Sequence, residues 1–395
     1  METSRRAVST ARFFAILGRL VATFCVVIIL LEMSSFAILR LYGRFRTDPL
    51  KPQNSPAYDR ESWGLDFWAE QAAFWSSARS HYLPFTVWGV RKWHGKFINT
   101  DETEMGAWRR TAQTMNAGCP KANIRKVWVF GGSTVYGIGA PDWATLPSYL
   151  SRELNTEPDA CIEVTNLGAE GYVTNQEAIL LMEQLKAGRR PDIAVFYDGV
   201  NESLVGGFSP GIPTAHWDFE MIKAKFEGSP ASRLAFLNLS YSFQLIRLWT
   251  GSHQPGDRAT ISDEELAARA QAAIENYEEN LRIIQILAKA YDFKAYFFWQ
   301  PTLQYETKPL SPFEKQLEEA RSQELEGRVH RGVKAVYERA ENRAAISGKF
   351  VFLGHAFDKV EETMYVDTFH LDSRGNEMIA HAIAETLRPN FAATK

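Results

Sequence analysis

The stretch Val127-Trp128-Val129-Phe130-Gly131-Gly132-Ser133-Thr134-Val135-Tyr136-Gly137 decides how the chain is read. Its first four residues are apolar and rich in β-formers, which predicts a buried strand. Gly131 and Gly132 permit a tight turn, and Ser133 follows at once. Beyond Gly139 the residues from Trp143 to Leu154 read as a helix. A hydroxyl on a sharp strand-to-helix turn lies at the carboxyl edge of a sheet, where open α/β folds hold their ligands. Ser133 is therefore a candidate nucleophile, and the rest of the chain has to supply a base and donors for an oxyanion.

From Lys126 onward, strands alternate with helices, the pattern of parallel βαβ units. Five strands are expected, at Val127–Phe130, Ile162–Asn166, Ile193–Asp198, Lys294–Trp299 and Phe350–Leu353. Helices are expected at Asn175–Ala187 and from Arg374 to Leu387, the latter capped by Asp372 or Ser373. Short apolar strands between helices imply a sheet covered on both faces, an α/β fold in three layers. The third and fourth strands are separated by an aromatic insertion, Ser203 to Asp257, and by an amphipathic helix from Glu264 to Tyr291. That helix carries Ile274, Tyr277, Leu281, Ile284 and Leu287 on one stripe. Phe313 to Ala345 reads as one more long helical stretch.

The 395 residues carry a formal net charge of -3 and no dense basic run in the body of the chain, so nothing points to nucleic acid. Apolar and aromatic content excludes a disordered class. Three cysteines without a Cys-x-x-Cys pattern or a His/Cys cluster give no zinc site, and no metal is expected. Cys119 and Cys161 each precede a predicted strand. Parallel neighbours start at one edge of a sheet, so these thiols would meet at the end opposite Ser133. A disulfide there fits an oxidising compartment; two unpaired thiols are the alternative.

Phe13 to Leu41 is the membrane-like segment, densest from Leu20 to Leu31. A tilted helix with Arg19 snorkelling would span a bilayer, and a signal peptide cleaved near Ser35-Phe36-Ala37 is the rival reading. Arginines flank the segment on both sides, so charge leaves orientation open; the cysteines favour a body outside the cytoplasm. Residues 1–46 are accordingly read as an anchor, 47–120 as an aromatic-rich extension, and 121–395 as the main domain with an insertion at about 203–260. In the extension, Trp68 to Ser80 is expected to be a short helix and Gly95 to Thr100 an edge strand. Its tryptophans are expected to pack on the main domain, the other reading being a sugar-binding surface.

Four short stretches fall at carboxyl ends of strands or before the last helix. They are Gly131-Gly132-Ser133, Asn166 through Tyr172, Tyr197 through Glu202, and Val366 through Asp372. They hold the parts of acyl transfer. His370 can take the Ser133 proton, and Asp367, three residues earlier, can fix its tautomer. The amides of Ser133 and Gly171 and the side chain of Asn201 can converge on an oxyanion. Gln300, after the fourth strand, is a candidate substrate contact, and Asp198 a candidate to orient Asn201.

Taken in this order, the stretches resemble the four blocks of the SGNH (GDSL-like) hydrolase superfamily across residues 130 to 385. Gly132 replaces the usual Asp before the serine, and Glu202 stands where Asp is commoner. Asp367-Thr368-Phe369-His370 matches without change. The resemblance implies a flavodoxin-like five-stranded parallel sheet and no metal or organic cofactor. It places the family's oxyanion glycine at Gly171 rather than Gly168. The Gly-Gly-Ser-Thr-Val-Tyr-Gly form on an anchored chain looks like bacterial envelope members. That implies a single-pass protein of the bacterial inner membrane with a periplasmic esterase domain acting on an O-acetylated glycan. Three alternatives stand beside it. One is an O-acyltransferase using the same acyl-enzyme, and another a glycan-binding or assembly protein of the same fold. The third is a lipid-directed esterase with an apolar groove of Phe226, Phe236, Tyr241 and Trp249. For the glycan esterase, the insertion Ser203 to Asp257 is the candidate substrate lid, a packing appendage being the other reading.

Overall fold

The computed structural model describes residues 2–45, 49–77, 81–157, 159–208, 216–228, 240–250, 261–321 and 325–391. They fall into two units. One comprises Met1–Pro49 with Asp218–Ala259, and the other Leu50–Trp217 with Thr260–Lys395.

In the larger unit the extension comes first. It holds helix α2 (Gly64–Ser77), the hairpin β1 (His81–Leu83) and β2 (Val87–Gly89), and a three-stranded antiparallel sheet. That sheet is β3 (Trp93–His94), β4 (Asn99–Thr103) and β5 (Gly106–Arg109), with β4 in the middle. The expected edge strand at 95–100 is thus displaced to a central one. Its preceding residues turn instead, because the Glu70 carboxylate gathers the amides of Lys96, Phe97 and Ile98 at 2.8–3.0 Å. The helix expected from Trp68 starts four residues earlier and ends at Ser77.

The main sheet contains β6 (Arg125–Gly131), β7 (Ile162–Gly168), β8 (Ile193–Asp198), β9 (Lys294–Trp299) and β10 (Val351–Phe352), all parallel, in the order β10-β9-β8-β6-β7. Its strands follow the period of two that an all-buried sheet requires. Val127 and Val129 join one apolar cluster, Trp128 and Phe130 the other. On the first face lie α4 (Leu146–Leu154), through Leu146, Leu150 and Leu154, and α12 (Ser373–Leu387), through Ile379, Ile383 and Leu387. Asp372 caps α12, its carboxylate accepting from the Gly375 amide at 2.7 Å. Among the helices that contribute to the second cluster are α5 (Thr174–Lys186), α9 (Asp263–Ala290) and α11 (Leu325–Ser347). The expected stripe on α9 buries Ile274, Tyr277, Leu281 and Ile284. The long stretch expected from Phe313 is two helices, α10 (Pro312–Arg321) and α11, rather than one.

The insertion begins later than its composition suggests. Residues from Ser203 continue helix α6 (Val200–Phe208), whose Val200, Leu204 and Val205 are buried in the main unit. At the opposite edge of the sheet from Ser133, Cys119 and Cys161 form a disulfide with their Cα atoms 5.7 Å apart.

In the smaller unit α1 (Glu2–Phe45) includes Ile16–Leu41, a run of 26 residues with mean hydropathy 2.3, long and apolar enough to cross a bilayer. The insertion adds α7 (Phe219–Phe226) and α8 (Tyr241–Thr250) to this unit. Of the residues read as an apolar groove, Phe226 and Trp249 are each 89% exposed and Tyr241 41%; Phe236 lies outside the described residues.

The loop from Met364 to Asp372 is held from beneath by a fully buried ion pair, Lys308 Nζ to Glu314 Oε2 at 2.7 Å. The other Glu314 oxygen accepts from the Met364 amide at 2.9 Å. Removing one member of such a pair strands the other charge, which costs about 3–5 kcal/mol. Glu314→Ala is expected to lower unfolding stability by that order in a urea titration; a loss within about 0.5 kcal/mol would show the pair to be energetically idle.

Candidate active site

Strand order places β6 between β7 and β8, so the connection leaving β6 towards β7 and the one leaving β8 towards β9 run to opposite sides. That crevice is where an open α/β sheet receives a ligand. Gly131, the last residue of β6, pairs with Gly168 on one side and Tyr197 on the other. The residues that follow these three, the turns to Ser133, Gly171 and Asn201, are therefore gathered at one edge.

Ser133 opens the one-turn helix α3 (Ser133–Tyr136). Its Oγ lies 2.8 Å from His370 Nε2, and His370 Nδ1 lies 2.7 Å from Asp367 Oδ2. The second carboxylate oxygen of Asp367 accepts from the amides of Phe369 and His370, both at 2.8 Å. One Asp thus folds the turn and holds the imidazole. With Asp367 ionised, Nδ1 carries the proton and Nε2 is free to accept from the serine hydroxyl.

Both side chains are mostly buried, His370 12% and Asp367 19% exposed. Burial alone pushes the imidazole pKa down, but the Asp367 charge and hydrogen bond outweigh it and hold it above the ordinary value. Burial pushes Asp367 up, and the His370 charge with its hydrogen bonds brings it below the usual carboxylate value. The two opposite shifts belong to one coupled pair.

Gly171 has φ +74° and occupies the third position of the turn closed by the Tyr172 amide on Ala169 O, where positive φ favours glycine. A methyl group there would meet Trp217 Cδ1 at 2.8 Å. Among the described residues, neither the Ser133 nor the Gly171 amide donates to another group. Asn201 Nδ2 donates to Tyr172 O at 2.7 Å, which orients the amide beside the Ser133 turn. Gly132 makes room for it, since a Cβ at that position would stand 2.2 Å from Asn201 Nδ2. This is a physical reason for glycine before the serine in this chain.

Two expected roles change. Gln300 is only 4% exposed and accepts from Thr134 Oγ1 at 3.3 Å, bracing the residue after the nucleophile candidate. Asp198 does not hold Asn201. It lies with Glu177 and Glu202 in a buried layer, all three under 8% exposed. Glu202 is satisfied by the Thr174 amide and hydroxyl and the Gly199 amide at 2.7–2.9 Å. Burial first, and then the neighbouring carboxylates, push Glu177 and Asp198 well above the ordinary range. Glu202 is thus the member of the layer whose oxygens meet donors, while Glu177 and Asp198 both hold their protons more tightly than free carboxyls.

The extension supplies supports that motif spacing does not reveal. Trp75 Nε1 donates to Glu170 Oε1 and Trp88 Nε1 to Glu170 O, each at 2.8 Å, which clamps the turn bearing Gly171. Buried Arg109 reaches Asp142 Oδ1 at 2.6 Å and Ala140 O at 2.9 Å, fixing the segment after α3. The signal available in the sequence was only the density of tryptophan before residue 120.

Among solved structures the chain is similar to a lipolytic protein of the G-D-S-L family from Veillonella parvula, with 10% identity, 67% of this chain and 98% of that chain covered, and TM-score 0.36. It is also similar to Est24, a carbohydrate acetylesterase from Sinorhizobium meliloti, at 14% identity, 68% and 100% coverage and TM-score 0.33. Axe2, an acetylxylan esterase from Geobacillus stearothermophilus, matches at 16% identity, 67% and 93% coverage and TM-score 0.31. No sequence profile of a known family and no curated protein matches the chain.

The buried carboxyls make a stability prediction. In the unfolded chain they ionise above roughly pH 4, whereas the fold keeps Glu177 and Asp198 protonated to higher pH. The folded state then binds more protons, so this layer loses stability as pH rises toward the folded values. Glu177→Gln is expected to melt with a shallower fall between about pH 5 and about pH 8 than the parent. Parallel pH profiles would refute the protonated layer.

Proposed function

We propose that the chain is a serine esterase of the SGNH type, and one observation carries the reading: Ser133 Oγ, His370 and Asp367 form a continuous line of hydrogen bonds at 2.8 and 2.7 Å at the sheet's switch point. Ser133 Oγ attacks the carbonyl carbon of an acyl ester while His370 Nε2 takes its proton. The tetrahedral oxyanion is held by the amides of Ser133 and Gly171 and by Asn201 Nδ2. His370 then returns the proton to the leaving alcohol, and the Ser133 acyl ester remains. Water, activated by the same imidazole, releases the acid. Asp367 keeps the imidazole oriented throughout and stays ionised. No part of this cycle requires a metal or organic cofactor.

An O-acetylated glycan is the proposed substrate. Trp217, 48% exposed, stands so close to Gly171 that the oxyanion end of the site suits a small acyl group, and its indole offers a face to a sugar ring. A sugar hydroxyl in place of water would make the same acyl-enzyme a transferase. The proposed location is the periplasmic side of a bacterial inner membrane. The apolar helix Ile16–Leu41 supports an anchor, and the disulfide supports an oxidising compartment.

Acetyl-ester turnover is the direct test. Ser133→Ala is expected to abolish it, and equal rates in the two proteins would end the assignment. Asp367→Asn is expected to cost roughly 10⁴-fold in kcat. Because the base must be neutral and its pKa is raised, kcat/KM should rise with pH through a value above about 6.5, and Asp367→Asn should move that limb to lower pH. Asn201→Ala, which removes one oxyanion donor, is expected to lower kcat about 100- to 1,000-fold with little change in KM. A loss confined to KM would place Asn201 in substrate binding instead.

A further inference from the structure

Helix α1 carries a single acidic side chain, Glu32, within the apolar run Ile16–Leu41. An ionisable group in a lipid-facing helix is costly unless it is paired, and its partner marks what lies beside it at that depth. Here both oxygens are occupied by one element of the insertion. Ser240 Oγ donates to Oε1 at 2.6 Å, the Tyr241 amide to Oε2 at 2.7 Å, and the Ser242 amide to Oε1 at 3.3 Å. Glu32 therefore sits on the N-terminus of α8, satisfying donors that a helix leaves open and meeting the positive end of its dipole. Ser240 completes the junction, because its Oγ also accepts from the Phe243 amide at 3.1 Å. One turn further along α1, Ser35 is buried against Ser242 with their hydroxyls 3.2 Å apart, and the ring of Phe36 meets that of Tyr241 at 5.0 Å.

Depth follows from the spacing. Leu41 ends the apolar run nine residues after Glu32, about 13 Å along a helix that rises 1.5 Å per residue. The start of α8 is therefore inside the apolar length of α1 and not beyond it. From there α8 presents Ile246, 56% exposed, and Trp249, 89% exposed, while the apolar side chains of α1 around the junction are exposed as well. Both helices therefore carry exposed apolar side chains beside the junction.

We propose that α8 is a second membrane-embedded element, a short helix seated in the lipid boundary against α1, with Glu32 as its dock and Ile246 and Trp249 facing lipid. The occupant of this surface is the bilayer, since the surface continues the one that α1 offers to it. The inference rests on reading α1 as a membrane span. It gives the insertion a role in holding the chain at the membrane, distinct from that of a substrate lid.

The full-length protein, reconstituted in phospholipid vesicles, provides the test. A polarity-sensitive fluorophore is placed on native Cys25 in one sample. In another it is placed on Trp249→Cys in a Cys25→Ala background. Each is exposed to acyl-chain nitroxide lipids or to aqueous iodide. The expected result is loss of most emission at both positions with nitroxide and little with iodide. Adding Glu32→Ala should return the label at 249 to iodide while leaving the Cys25 label with lipid. Iodide quenching at 249 beside lipid quenching at Cys25 would overturn the inference and leave the span intact. Iodide quenching at Cys25 would instead remove the span, and the inference with it. Protection of 249 from both quenchers would point to a second copy of the chain covering α8, which also overturns it.

Discussion

The candidate site depends on β6 being paired in parallel on both sides. Gly131 pairs simultaneously with Gly168 and Tyr197, so three turns leave the sheet at one height. A one-residue slip in either ladder would exchange the faces of a whole strand. It would send Val127 and Val129 into the aromatic layer and Trp128 and Phe130 against α4 and α12. The two layers differ too much in side-chain volume to accept this, because close-packed interiors tolerate little change in shape. Core packing thus sets the register, and register sets the distance between a serine and an imidazole that are 237 residues apart in sequence.

Polar groups under the site are arranged unequally. The loop bearing Asp367 and His370 is fastened by compensated charge, with Lys308 and Glu314 fully buried and the Met364 amide on the same carboxylate. The layer beneath Asn201 contains three carboxyls, of which Glu202 accepts from the Thr174 amide and hydroxyl and from the Gly199 amide. Glu177 and Asp198 hold their protons to higher pH, because burial first and the neighbouring carboxylates next disfavour their charged forms. Both devices position main chain, one through ionisation and the other through its suppression.

Much of this was legible beforehand. Strands at Ile193–Asp198 and Lys294–Trp299 have the limits expected, because short apolar runs bounded by polar residues and turns leave little choice. Ser133, His370, Asp367 and Asn201 lie where strand ends and the last helix cap would bring them. Long-range support was not legible. Nothing local marks Trp75 and Trp88 as partners of Glu170, since an indole N–H carries no sequence address for its acceptor. Asp198 was misplaced for a related reason. Adjacency to Asn201 along the chain suggested contact, but alternation along β8 turns it toward Glu177. The insertion was misjudged at its start, because an amphipathic helix with glycine at 206 and 207 and an aromatic loop share a composition.

The clamp on Glu170 bears on where the folded α/β module begins. The aromatic segment before residue 120 is more than a spacer, because Phe74 stacks on Tyr136 at 6.1 Å and Tyr58 donates to Gly139 O at 2.7 Å. Those contacts fall on the segment that follows Ser133. Evolutionary shuffling that exchanged this segment for another linker would leave the sheet's hydrogen bonds whole but strip these contacts from the Ser133 turn. The segment and the sheet therefore have to be inherited together.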